Sequence, residues 1–125
     1  MFTAEQATAI MQEVCERIAS GQSLRHICES DHMADVSTVK RWLRENEEFR
    51  AQYTQAREDQ ADHYADVIVE IADTEPDAAT ARTRIDARKW VASKLLPKKY
   101  GDRQEIELSA QLDVRGWLQK LGEPE

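Results

Sequence analysis

The chain has 125 residues, of which 41% are hydrophobic and 33% charged, and its formal net charge is -7. This length and composition fit one helix-rich domain or two very small ones. No apolar run approaches the roughly 20 residues of a membrane span, and the first residues lack the basic and apolar regions of a secretory signal. We therefore expect a cytoplasmic protein with no membrane partner. The acidic balance argues against a protein that coats DNA through bulk electrostatics.

The charges are unevenly distributed along the chain. Residues 46–80 contain 2 basic and 10 acidic side chains, whereas residues 81–103 contain 8 basic and 2 acidic ones. Neighbouring blocks of opposite sign indicate either pairing between adjacent helices or complementarity between subunits. The sequence leaves both possibilities open.

The first predicted helix runs from about Ala4 to Ser20. Thr3 can cap its start, and Gly21 can end it in a left-handed conformation. The apolar side chains that recur at helical spacing are Ala7, Ile10, Met11, Val14 and Ile18.

A helix-turn-helix unit is predicted from Ser23 to Arg44, because two apolar clusters flank a segment with a poor helical pattern. Ser23 and Asp35 are placed to cap its two helices. His32 stands where such units commonly have a glycine, so we expect a positive φ there and a looser turn. The apolar clusters are Leu24, Ile27 and Cys28, followed by Val39, Trp42 and Leu43.

The second helix of this unit is typical of a DNA-reading helix. No acidic residue occurs from Val36 to Arg44. The side chains expected to face away from the apolar cluster are Ser37, Lys40, Arg41 and Arg44. A purely structural oligomer would give no reason for such an acid-free basic helix.

Two long helices are predicted next, from Glu47 to about Asp73 and from about Ala78 to Leu96, with Pro97 ending the second. The short turn at Pro76 makes them an antiparallel hairpin with one acidic and one basic arm. The stripe on the first arm is interrupted only by Gln60. It carries more apolar surface than the preceding small helices can cover, so it requires another helix, another subunit, or both.

A strand is predicted after Gly101, because apolar and polar residues alternate from Ile106 to Leu112. No other segment offers a partner strand. Pairing with the same strand of neighbouring subunits would satisfy its backbone groups.

Two blocks of the chain closely resemble the small terminase subunits of tailed bacteriophages and prophages. The first block is STVKRWL with the following NEEFR, and the second is RIDARKWVASKLLPKKYGD. The resemblance extends from about Ser23 to Asp102. It implies a DNA-packaging protein that recognises the viral packaging site on double-stranded DNA as a ring-shaped homo-oligomer. It also implies that this protein recruits and regulates the large terminase subunit, which carries the ATPase and nuclease.

The resemblance implies a mainly α fold in three parts. A DNA-binding domain occupies residues 1–45, a central oligomerisation hairpin residues 46–101, and a C-terminal strand with its tail residues 102–125, where related proteins form a small intersubunit barrel. The residues expected to contact DNA are Ser37, Lys40, Arg41 and Arg44. Those expected at subunit contacts are Phe49, Tyr53, Tyr64, Val67, Ile71, Ile85, Ile106 and Leu108.

Two rival functions follow from the residues alone. A helix-turn-helix transcriptional regulator would bind operator DNA as a two-fold dimer, which predicts a palindromic site, whereas a ring does not. An enzyme is not expected, because the chain lacks a phosphate-binding glycine loop, a glycine-flanked serine and an HExxH motif. Cys28 and His32 have the spacing of half a zinc site but no second ligand pair, so we expect neither a metal nor another cofactor.

Overall fold

The computed structural model describes residues 1–101, and this part of the chain is mainly helical, as predicted. The helices are α1 (Ala4–Ala19), α2 (Leu24–Cys28), α3 (Val36–Glu45), α4 (Glu47–Thr74), α5 (Ala78–Leu95) and α6 (Pro97–Tyr100). The predicted strand from Ile106 to Leu112, together with its intersubunit barrel, lies outside the described residues.

The three N-terminal helices and the first half of α4 share one hydrophobic core. Ile10, Val14 and Ile18 of α1 are buried in it, and each such side chain stabilises the fold by about 1.5–3 kcal/mol. The other members of this core are Ile27, Met33, Ala34, Val39, Phe49 and Ala56. The core therefore crosses the predicted boundary between residues 45 and 46 into α4, and the division into domains stays a prediction.

The predicted helix caps are confirmed. The Thr3 hydroxyl accepts a hydrogen bond from the backbone N–H of Gln6, and the Gln6 side chain accepts one from the N–H of Thr3, which completes a capping box. Ser23 caps α2 in the same way. Gly21 has a φ of 102°, the left-handed conformation predicted for the end of α1.

The hairpin of α4 and α5 is antiparallel. The chain reverses between Thr74 and Ala78, and α6 returns to the middle of α4. There the Asp62 carboxylate accepts hydrogen bonds from the Lys99 ammonium at 2.8 Å and from the Tyr100 hydroxyl at 2.6 Å. This contact joins the acidic arm, α4, to the basic helix α6 that follows the second arm.

Gln60 does not interrupt the buried stripe of α4, because its side chain is 1% exposed and fully hydrogen-bonded. Its amide group donates to the carbonyls of Ile18 and Gln22, both at 3.1 Å, and its carbonyl accepts from Arg57 at 2.9 Å. A buried polar side chain that satisfies backbone carbonyls beyond a helix end stabilises that end.

Pro97 ends α5 as predicted but also begins α6, which the sequence did not indicate. A proline at the first helical position lacks an N–H that would have no partner there, and its fixed φ suits the helix. In the part of the chain that the structure describes, no helix is long and apolar enough to cross a membrane.

Candidate nucleic-acid interface

Helix α3 carries the candidate interface, and its start is fixed by Asp35. The Asp35 carboxylate accepts hydrogen bonds from the backbone N–H of Thr38 at 2.8 Å and from the Ser37 hydroxyl at 2.9 Å. The hydrogen bonds from Thr38, then that from Ser37, and the charge of Arg41 hold the pKa of Asp35 below its usual range. A cap that stays ionised at neutral pH favours the helix through its hydrogen bonds and its charge.

The four predicted DNA contacts lie on one side of α3 and are all exposed. Val39 is fully buried on the other side, whereas Ser37, Lys40, Arg41 and Arg44 point to solvent. Within residues 1–101, none of the three cations forms an ion pair within 4 Å. The interface thus presents three positive charges and one hydroxyl. This hydroxyl, of Ser37, is oriented by its hydrogen bond to Asp35.

The C-terminal end of α3 is held by a residue that sequence reasoning missed. The Arg50 guanidinium, on the first turns of α4, donates to the backbone carbonyls of Leu43 at 3.1 Å and Arg44 at 3.3 Å. These carbonyls have no partner within the helix, and a cation there also opposes the negative end of the helix dipole. The signal for this contact in the sequence was that an arginine, Arg50, follows closely after the end of α3.

A single residue, Asn46, connects α3 to α4 and caps both. Its backbone N–H donates to the carbonyl of Trp42 at 2.8 Å, and its side-chain oxygen accepts from the N–H of Phe49 at 3.0 Å. Because no flexible residue separates the two helices, the orientation of α3 is set by that of α4.

The turn before α3 differs from the prediction. In the described residues, no residue other than glycine has a positive φ, so the expected conformation of His32 was wrong. The imidazole Nε2 lies instead 2.9 Å from both carboxylate oxygens of Glu13 on α1. This hydrogen bond, more than the neighbouring Arg17, lowers the pKa of Glu13, and it fastens the turn to the core helix.

The residues predicted at subunit contacts have different environments. Phe49 is 2% exposed and belongs to the core of its own chain, so it has little surface left for another subunit. Tyr53 packs edge-to-face on Phe49, with ring centroids 6.1 Å apart, and Ile71 is also buried. Tyr64, Val67 and Ile85 are partly exposed, and Ile106 and Leu108 lie outside the described residues. Their role between subunits stays a prediction.

The cysteines are packed as small core side chains. Cys15 and Cys28 are both free thiols, partly buried against the N-terminal core, and burial raises the pKa of each. Among residues 1–101, no three His, Cys, Asp or Glu side chains are grouped so as to hold a metal ion.

Known proteins similar to this chain are viral. The family described as "Bacteriophage Sf6, terminase small subunit-like" matches residues 6–107. Crystal structures of two single-residue variants of the terminase small subunit gp1 of the bacterial virus Sf6 are also similar. One is 43% identical, covers 77% of each chain and has a TM-score of 0.69. The other is 40% identical, covers 82% of this chain and 79% of that one, and has a TM-score of 0.70. No curated protein matches the chain.

Proposed function

This chain belongs to the Sf6-like family of terminase small subunits, and on that premise we propose that it recognises the packaging site on viral DNA as a ring-shaped homo-oligomer. Family membership supports a function in genome packaging. The DNA-reading surface is the exposed side of α3, and the ring brings several such surfaces to one DNA molecule.

The exposed cations of α3 are the observation that carries this proposal. Lys40, Arg41 and Arg44 lie within five positions of each other on a helix whose two ends are fixed by Asp35 and Arg50. A helix of this kind fits the major groove of B-DNA, where lysine and arginine read the acceptor atoms of guanine. We assign Lys40 and Arg41 to base edges, and Arg44 to the DNA backbone.

A single unit of this size would bind DNA weakly. Non-specific contacts of a few cations give dissociation constants of about 10⁻⁴–10⁻⁶ M at physiological salt. Several units in one ring raise the overall affinity by roughly 10²–10⁴ when they engage the same DNA together. Bending of the packaging site around the ring would add selectivity without further base contacts.

The partner of the ring is the large terminase subunit. In this proposal the small subunit performs no chemistry, and the ATPase and nuclease activities belong to the large subunit that it recruits. The rival function is that of a dimeric transcriptional regulator, which would make the same DNA contacts with a different symmetry. The oligomeric state therefore distinguishes a packaging ring from a regulator.

The test combines DNA binding with native mass spectrometry. We expect the Lys40→Ala/Arg41→Ala variant to lose binding to labelled DNA duplexes from the genome that encodes this protein. The variant should keep the oligomeric state of the wild type. A matched control, Arg82→Ala/Lys98→Ala, removes the same charge from exposed positions of α5 and α6 and should bind almost normally. Unchanged DNA binding by the first variant would overturn the assignment of α3, and a wild-type dimer would favour the regulator.

A further inference from the structure

The hydroxyl of Ser37 has a hydrogen-bonding capacity that the three cations of α3 lack. Lys40, Arg41 and Arg44 carry only N–H donors, whereas a serine hydroxyl has one donor and two acceptor lone pairs. Ser37 is exposed on the same side of α3, one turn before Lys40. It lies in the N-terminal part of the helix, which is the part that contacts base edges in helix-turn-helix proteins. Among these four side chains, Ser37 is therefore the one that can accept a hydrogen bond from a base.

Asp35 engages the single proton of this hydroxyl. The Ser37 Oγ lies 2.9 Å from Asp35 Oδ1, and the same carboxylate oxygen accepts from the backbone N–H of Thr38. The hydrogen bonds from Thr38, followed by that from Ser37, hold the pKa of Asp35 below its usual range. The carboxylate is thus ionised at neutral pH and has no proton to donate. The proton between the two oxygens belongs to Ser37, so the lone pairs of Oγ point away from the carboxylate.

A hydroxyl in this state discriminates between the bases of the major groove. Cytosine presents its N4 amino group there and adenine its N6 amino group, and both groups are donors. The polar groups of guanine and thymine at corresponding positions are acceptors. An acceptor that is buried against another acceptor loses its hydrogen bonds to water and gains none, which is costly. Ser37 therefore favours an amino group and disfavours a carbonyl oxygen.

We propose that Ser37 determines specificity at one base pair of the packaging site by accepting a hydrogen bond from the amino group of cytosine or adenine. Asp35 is the positioning residue that keeps this hydroxyl an acceptor only. The inference rests on the proposed function, because it specifies which base chemistry the exposed side of α3 selects. Three residues of helix rise about 4.5 Å and one base pair about 3.4 Å. The guanine read by Lys40 therefore lies in the same base pair as the base read by Ser37 or in a neighbouring one.

Selection of bound sequences from a DNA duplex library with a randomised segment tests the proposal. We expect the wild type to select cytosine or adenine at one position, in the same base pair as a guanine or next to one. Ser37→Ala should reduce the preference at that position by roughly three- to tenfold and leave the preference for guanine intact. Ser20→Ala removes the same hydroxyl at an exposed position at the end of α1 and should leave every preference unchanged.

Two substitutions of Asp35 distinguish the positioning role from a purely structural one. Asp35→Gly removes the acceptor with little loss of capping, so the Ser37 hydroxyl can also donate, and guanine or thymine should then be tolerated. Asp35→Asn keeps an oxygen for Ser37 and Thr38 and should retain the wild-type preference. Loss of a negative charge strengthens binding to every duplex, so the order of the four bases is the readout. If Asp35→Gly left this order unchanged, Asp35 would be a helix cap only.

Duplexes with a modified base identify the contacted group and distinguish cytosine from adenine. In the selected site, the cytosine or adenine is replaced with an analogue that lacks the amino group in the major groove. We expect this replacement to weaken binding of the wild type by roughly three- to tenfold and to leave binding of Ser37→Ala almost unchanged. An equal loss for both proteins would show that another side chain reads the amino group.

The outcomes separate this inference from the proposed function. A wild type that selects a site, together with a Ser37→Ala variant that keeps every preference, overturns the role of Ser37 and leaves the packaging function standing. A preference for guanine or thymine at the affected position also overturns that role alone. A wild type that selects no sequence overturns the proposed recognition of a packaging site itself.

Discussion

The Tyr64 hydroxyl donates a hydrogen bond to the backbone carbonyl of Gly21 over 2.9 Å. This contact fastens the turn between α1 and α2 to the middle of α4, far from either residue in sequence. The adjacent His63 ring fills the space beside Gly21, where a Cβ would lie 2.7 Å from the imidazole Cδ2. The turn is thus fixed by its backbone conformation and by the side chains that α4 packs against it.

Replacing Gly21 with alanine should destabilise the protein by about 1–3 kcal/mol. A φ of 102° is costly for any residue with a Cβ, and the new methyl group would also overlap the His63 ring. The loss should appear as a lower midpoint in urea unfolding followed by circular dichroism. Ser20→Ala, at the exposed neighbouring position, is the control and should change the midpoint only slightly.

The two causes of this loss can be separated by removing the imidazole ring of His63. In a Gly21→Ala/His63→Ala double variant the overlap disappears and the backbone strain remains. We expect the double variant to be more stable than the sum of the two single losses predicts, because the residues are in contact. Strict additivity would mean that the His63 ring moves aside at no cost.

Replacing Gln60 with methionine should destabilise the protein by about 1–3 kcal/mol. The side chain keeps its approximate length, but the carbonyls of Ile18 and Gln22 lose a buried donor and Arg57 loses its acceptor. Equilibrium unfolding in urea measures the change. Gln55→Met makes the same substitution at an exposed position of α4 and should be nearly neutral. Equal effects of the two would show that the buried hydrogen bonds of Gln60 contribute nothing.

The contact of Asp62 with α6 should make the hairpin sensitive to acid. The hydrogen bond from Lys99, followed by that from Tyr100, holds the pKa of Asp62 below its usual range. Because the folded-state pKa is the lower one, this contribution is complete above the pKa of an unfolded aspartate, about 4. It is lost as pH falls through the folded-state value.

Thermal unfolding at several acidic and neutral pH values tests this dependence. We expect Asp62→Asn to lower the melting temperature at neutral pH and to have a smaller effect in acid. The pKa values of the capping residues Asp35 and Asp77 are also lowered by their hydrogen bonds, so the wild type alone cannot isolate Asp62. The difference in melting temperature between wild type and Asp62→Asn isolates the contribution of Asp62. If this difference did not change with pH, the assignment would be contradicted.

The helices and their ends could be predicted from the sequence because their signals are local. Thr3, Ser23 and Asp35 each cap a helix within three residues of themselves, and Gly21 ends α1 through its own backbone. Hydrophobic period and capping chemistry depend on neighbours along the chain. The exposed side of α3 could be predicted from the same hydrophobic period.

The contacts that position the interface could not be predicted, because they join residues distant in sequence. In the sequence, Gln60 is a polar residue that interrupts an apolar stripe. Only the structure shows that the end of α1 lies beside it. His32 resembled a strained turn residue, but its partner Glu13 lies 19 positions earlier. Phe49 was assigned to a subunit contact, since periodicity identifies a buried face and does not identify which neighbour covers it.

The cations of α3 should differ in what they contribute to DNA binding. Arg44→Ala removes the proposed contact with the DNA backbone, so it should weaken binding equally to specific and unrelated duplexes. It should also reduce the magnitude of the slope of log K against log salt concentration by about 0.9. Lys40→Ala and Arg41→Ala remove the proposed base contacts, and each should reduce the discrimination between specific and unrelated duplexes by about 1–3 kcal/mol. Fluorescence anisotropy over a series of salt concentrations measures both quantities. If Arg44→Ala alone reduced discrimination, the axis of α3 would enter the groove with its C-terminal end first, and the assignments of Arg44 and Lys40 would be exchanged.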